Sequence, residues 1–299
     1  MIKIASELAD GFKARRPVVA LESTLICHGI PRPDNGDLAI EMERRVRDEG
    51  ALPATMAIVD GDVRIGLTQD ELLALATADG VLKCSTRDLP MVTTNGGNGA
   101  TTVASTIFLA AKHGIEVMAT GGLGGVHQGG EVTLDISADL YELQRSRVAV
   151  ICCGVKSILD QRRTVEQLET LGVPLIGFRC RELPAFYTAD SDIEIPSVDH
   201  LDELVNVIRH HLELGLPGGL VIAVPPPAEY AMTRGEVDQL VDEAQGAAGR
   251  QGMIGPAQTP FMLRHMAEAS GGRTVILNRH LAAENASLAG RIAARLRAA

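Results

Sequence analysis

The chain has 299 residues, 45% apolar and 22% charged, and carries a net charge of −10. That balance argues against a broad basic face for nucleic acid or an anionic membrane, while leaving room for one local phosphate pocket. Aromatics are scarce, at 3% with no Trp, so the core must be built from Val, Ile, Leu and Ala, as in buried α/β sheets.

In chain order, Ile4, Leu8 and Phe12 space out a short amphipathic helix. No h-region of a signal peptide and no apolar run near 18 residues is expected to direct the chain to a membrane. "PVVAL" (17–21) predicts a buried strand, and "GDLAIEMERRVRDEG" (36–50) a helix. "ATMAIVDGDVRIGL" (54–67) predicts two strands about a turn at Asp60-Gly61-Asp62. Thr68 and Glu71 form a capping box for a helix over 68–80. Further helices are predicted over 100–114 and 136–146, and further strands over 115–120, 148–153, 173–178 and 219–224. The last third is helical in pattern, over 197–215, 234–252, 259–272 and 281–299, with Thr259 as a cap and Pro260 at the first helical position. The "VPPPAEY" run (224–230) predicts a rigid loop. No repeat or boundary interrupts the pattern, so one domain over 1–299 is expected. The alternation predicts an α/β sandwich around a mostly parallel sheet. The five cysteines form no C-x-x-C pair and show no zinc spacing, which suggests a reduced, cytoplasmic protein.

Ligands in such folds bind at the carboxyl ends of strands. Glu22 and Ser23 follow the first buried strand directly, where Glu22 either caps a loop or meets a ligand. The glycine-rich stretches "TTNGGNGATTVAST" (93–106) and "ATGGLGGVHQGGEVTLDIS" (119–137) can bring backbone N–H groups to an anion. Neither is a P-loop or a dinucleotide fingerprint. Asp135 and Asp139 lie four apart at a helix start. They suit a hard cation held partly through water, or equally a helix cap and a solvated face. "VICCGVKSILD" (150–160) sets Lys156 among apolar residues. Such a lysine either reaches water or pairs with Asp160, or burial leaves it a neutral amine able to attack a carbonyl carbon.

Nine segments resemble, in collinear order, the pseudouridine-5′-phosphate glycosidase family. They are "PVVALESTLICHGIPRPDN", "LPATMAIVDGDVRIGLT", "STRDLP", "NGATTVAST", "ATGGLGGVH", "LDISADL", "GVKSILD", "LETLGVPLIGF" and "TPFML". The resemblance implies a three-layer α/β/α fold, a homotrimer and a divalent metal such as Mn2+. It also implies cleavage or formation of the C–C bond between ribose 5-phosphate and uracil. Carried over by motif, Glu22 is the proton donor, Lys156 the nucleophile and Asp135 the metal carboxylate. Lys83, Val103, Ser137, Ala138, Asp139 and Asn278 fall at substrate-binding positions. Three positions depart from the family pattern: Gly97 for a lysine, Gln128 for an arginine and Val224 for an asparagine. Pro256 and Ala257 also stand where charges are common. If those groups touched the base, their loss would favour an aromatic polyketide acceptor over uracil, as in the C-glycosynthase branch. A C-glycosynthase is therefore the expectation, with the uracil-releasing glycosidase as the alternative. A non-catalytic sugar-phosphate binder is the remote third reading.

Overall fold

The computed structural model describes residues 1–253 and 255–298, without the side chain of Pro256. Its strands are β1 (Ile2–Ile4), β2 (Val18–Leu21), β3 (Leu52–Val59), β4 (Asp62–Ile65), β5 (Leu82–Cys84), β6 (Gly99–Thr101) and β7 (Val117–Ala119). They continue with β8 (Val126–His127), β9 (Ala149–Cys152), β10 (Leu159–Asp160), β11 (Leu175–Phe178), β12 (Ser197–Val198) and β13 (Leu220–Ala223). The helices are α1 (Ser6–Lys13), α2 (Asp34–Asp48), α3 (Gln69–Thr77), α4 (Leu89–Thr94), α5 (Val103–Lys112) and α6 (Gly130–Thr133). After them come α7 (Ala138–Arg145), α8 (Gln161–Thr170), α9 (Leu201–Glu213), α10 (Arg234–Arg250), α11 (Gln258–Ala269) and α12 (Arg273–Arg297).

The central sheet runs β3-β2-β7-β9-β13-β11-β12, and every neighbouring pair in it is parallel. The far half of β3 carries β4 and β6 antiparallel. Side chains alternate along each strand. Val19, Leu21, Val117, Ile151 and Ile222 face a core shared with α2 and with α9 to α12. Val18, Ala20, Met118, Val150 and Val221 face the other core, against α1, α5, α7 and α8. Helices thus cover both faces, which explains strands that are apolar throughout. Each such side chain contributes roughly 1.5–3 kcal/mol by leaving water. The expected α/β/α arrangement around a mostly parallel sheet is the one observed. No described helix is long and apolar enough to cross a membrane.

Local chemistry set several boundaries differently from the sequence pattern. The helix expected from residue 100 begins at Val103, because Gly99–Thr101 pairs with β3 and β5; Thr102 caps it, accepting from Ser105 N–H. The helix expected from 197 begins at Leu201, because Ser197–Val198 pairs with β11. Thr259 is not a cap. Helix α11 starts at Gln258 behind Ala257, with no side-chain cap. Pro260 then falls third in the helix, still within the turn whose N–H groups lack partners. The last helix starts at Arg273 rather than 281 and ends at Arg297, while Ala299 lies outside the described residues.

Candidate functional site

Strands β2, β7 and β9 are parallel neighbours, so their carboxyl ends lie side by side. The chain leaving them delivers Glu22, then Thr120-Gly121-Gly122, then Cys153 to Lys156. Strand β5 adds Lys83, the start of α5 adds Val103, the start of α7 adds Ser137 to Asp139, and α12 adds Asn278. All nine residues singled out from the sequence line one cleft: Glu22, Lys83, Val103, Asp135, Ser137, Ala138, Asp139, Lys156 and Asn278. Its free space is about 1350 Å3, mouth included.

Glu22 is buried, 6% exposed, and accepts a hydrogen bond from Thr120 Oγ1. Burial raises its pKa above the ordinary carboxylate range, against the opposing pull of the Lys156 charge and the Thr120 bond. A carboxyl held in its acid form can donate a proton. Lys83 is half-buried, and its pKa lies below the ordinary lysine range, first from burial and then from the nearby Lys156 charge. Lys156 is half-buried too, not sealed in the core. Its pairing with Asp160 does not occur; Asp160 caps α8 and binds Arg163 at the opposite end of its carboxylate.

The two aspartates have different surroundings. Asp139 is 5% exposed, and its two oxygens accept Ala104 N–H at 2.8 Å and Gly124 N–H at 2.9 Å. Its lone pairs therefore hold backbone. The helix cap is Ser137, whose Oγ accepts from Asp139 N–H, so Asp135 caps nothing. Asp135 Oδ2 lies 3.9 Å from His127 Nδ1 and is partly open to the cleft. Among the described residues no three His, Cys, Asp or Glu side chains cluster as metal ligands. A fully protein-held metal does not fit. A hard cation that keeps several waters needs only one or two carboxylates plus substrate oxygens, and Asp135 fits that limited demand.

Sequence reasoning reached Asn278 but missed His28, Ser85 and Phe186, which line the same cleft. His28 Nε2, Ser85 Oγ and Asn278 Oδ1 are buried in the cleft wall without a hydrogen-bond partner. Buried polar atoms are rarely left so, and three in one cleft mark where a polar ligand would bind. Burial also holds the pKa of His28 and of His127 below the ordinary histidine range, leaving both neutral. Phe186 lines the cleft as well. No short-range pattern in the sequence singled out His28, Ser85 or Phe186. Conversely, Gly97, Gln128 and Val224 do not line the cleft. Gly97 lies by the turn between β3 and β4, its carbonyl accepting Gly61 N–H at 3.0 Å. Gln128 is exposed, and Val224 packs against the core. The observation offered for an altered acceptor is therefore corrected: these three side chains do not shape the cleft wall.

The family model for indigoidine synthase A-like proteins matches residues 7–295. A pseudouridine-5′-phosphate glycosidase of Hahella chejuensis is 48% identical over 295 residues, covering 98% of this chain and 97% of that protein. The enzyme of the same name from Escherichia coli K12 is 47% identical, covering 98% of this chain and 95% of its own. Among solved structures, the prealnumycin C-glycosynthase AlnA in complex with ribulose 5-phosphate superposes with a TM-score of 0.91 at 37% identity, covering 100% and 97% of the two chains. An indigoidine synthase A-like protein of Thermotoga maritima gives 0.90 at 36%, covering 99% and 97%.

Proposed function

Since the chain belongs to the indigoidine synthase A-like family of pseudouridine-5′-phosphate glycosidases, we propose that it splits pseudouridine 5′-phosphate into uracil and ribose 5-phosphate, a reaction that can also run in reverse. The observation that carries this reading is the pairing, in one cleft, of a buried carboxyl whose pKa is raised by burial with a half-buried lysine two strands away. A C–C glycosidic bond has no heteroatom leaving group to protonate, so the ordinary two-carboxylate route does not apply. Glu22 gives its proton to the ribose ring oxygen, and the C1′–O bond opens as electrons flow from the base. The Lys156 amine, once neutral, then adds to C1′. The C–C bond breaks, its electron pair and a proton passing to the base carbon, and an imine remains between Lys156 and C1′. Water hydrolyses that imine, releasing ribose 5-phosphate and the free amine.

Asn278 Oδ1 offers an acceptor for a base N–H, and Lys83 a cation for the sugar phosphate. Ser137, Ala138 and Val103 shape the wall around the sugar. Asp139 acts through the backbone it holds. Asp135 is the residue that would hold a divalent cation, Mn2+ for example, which when bound would neutralise negative charge on the substrate. Assembly as a homotrimer belongs to the same proposal, and light scattering at the mass of three chains tests it.

The second reading is synthesis of a C-riboside on an aromatic polyketide. It is supported by the high structural similarity to the C-glycosynthase, and it lost its other support when Gly97, Gln128 and Val224 fell outside the cleft. One experiment addresses both. The protein is given ribose 5-phosphate with borohydride, and Lys156 should gain the mass of one reduced sugar phosphate. It is then given pseudouridine 5′-phosphate, or ribose 5-phosphate with a hydroxynaphthoquinone, and products are weighed. Uracil release is expected. A quinone C-riboside without uracil release would favour the synthase. An adduct that persists in Lys156→Ala would remove Lys156 as the nucleophile.

A further inference from the structure

Phe186 has a φ of +67°. A bulky side chain in that region is an outlier, and such backbone persists only where its surroundings fix it. Here the fixing groups lie partly in its own turn, where Tyr187 N–H donates to Ala185 O at 2.8 Å and Ala185 N–H to Thr188 O at 3.1 Å, and partly in the loop that carries Lys156. Phe186 N–H donates to Cys153 O at 3.0 Å, and Cys153 Sγ donates to Phe186 O at 3.3 Å. Gly154 and Ala185 form an antiparallel bridge, and Ser157 Oγ donates to Ala185 O at 2.5 Å. Residues 185–186 are thus tied to the chain on both sides of Lys156.

The ring itself is 1% exposed and wedged against Gly121 and Gly122. A Cβ at Gly122 would fall 2.5 Å from Phe186 Cδ2 and 3.4 Å from Lys156 Cγ. The ring and the lysine stem therefore approach the same spot, and only a glycine leaves room for both.

We propose that Phe186 is a positioning residue for Lys156: its wedged ring and tethered backbone hold the lysine stem so that the amine meets C1′ of the sugar. This rests on Lys156 being the nucleophile. Attack requires a narrow approach, and small displacements of a catalytic group cost rate far more than binding.

The test compares Phe186→Leu and Phe186→Met with Phe178→Leu, a change at a similarly buried ring on β11 outside the cleft. Both Phe186 variants should lose about tenfold or more in kcat for cleavage, with KM within about threefold of wild type. Borohydride trapping of ribose 5-phosphate on Lys156 should slow by the same factor. Phe178→Leu should lower the melting temperature while leaving kcat and trapping unchanged. Equal kcat losses in all three variants, or unchanged trapping in the Phe186 pair, would overturn the proposal. So would failure of both Phe186 variants to fold, since Phe186 would then be a folding residue. A wild-type protein that traps no sugar at all would instead sink the assignment of Lys156.

Discussion

Replacing Asp139 by alanine should damage the fold, whereas the same change at Asp135 should not. The Asp139 carboxylate is the acceptor for Ala104 N–H and Gly124 N–H, at 2.8 and 2.9 Å. Both bonds are buried. A buried donor left unpaired costs roughly 1–3 kcal/mol. Two of them make Asp139→Ala worth about 2–6 kcal/mol, a large share of a typical total of roughly 5–15 kcal/mol. Asp139→Asn keeps one acceptor oxygen and should lose about half as much. Asp135 has only the distant His127 contact at 3.9 Å and a side chain 34% exposed. Such a pair is worth about 0–1 kcal/mol. Urea unfolding of the three variants at neutral pH separates the cases. The reasoning fails if Asp139→Ala stays within about 1 kcal/mol of wild type, or if Asp135→Ala is as costly. Activity gives the complementary half: Asp135→Ala should remain folded yet lose its response to added Mn2+.

Glu22→Gln should be inactive yet more stable than wild type at neutral pH. Below its ordinary value of 4.5, both folded and unfolded chains keep the Glu22 proton, and burial costs nothing. As pH rises from there the unfolded chain ionises first, so the folded state is progressively disfavoured until its own raised pKa is passed. Urea midpoints taken at pH 4 and pH 8 should therefore diverge between the two proteins, and parallel behaviour would remove Glu22 as a buried acid. Restoring the family residues through Gly97→Lys, Gln128→Arg and Val224→Asn together should leave the ratio of uracil to quinone products unchanged. A shift of about tenfold or more, some 1.4 kcal/mol, would mean that these positions reach the base after all.

The sheet and its active end were legible because their signals are local. Short apolar runs leading into Glu22, into Thr120-Gly121 and into the stretch before Lys156 announce buried parallel strands, and parallel strands end on one side. The resemblance then placed nine residues that do share a cleft. What stayed hidden depends on contacts across the chain. Asp139 reads as one of a carboxylate pair, yet its partners are the N–H groups of Ala104 and Gly124. Ser85 directly follows β5 and His28 lies in the helical turn Leu25–Gly29, and nothing near them in sequence says that their polar atoms face a cleft wall. Gly97 and Gln128 misled in the opposite direction. They stand inside or beside conspicuous motifs, but neighbours in sequence diverge once the chain turns. Thr259 reads as a cap because it precedes Pro260, whereas the helix begins two residues before Pro260, at Gln258.

The order β2-β7-β9 fixes something that loops cannot easily alter. Adjacent strands stand about 4.8 Å apart, so β2 and β9 are separated by about 9–10 Å across β7. The spacing between the strand ends from which Glu22 and the Lys156 loop depart is thereby a property of backbone hydrogen bonding. In that sense the sheet works as a ruler: β2, β7 and β9 measure out the interval between the strand ends that lead to Glu22 and to Lys156.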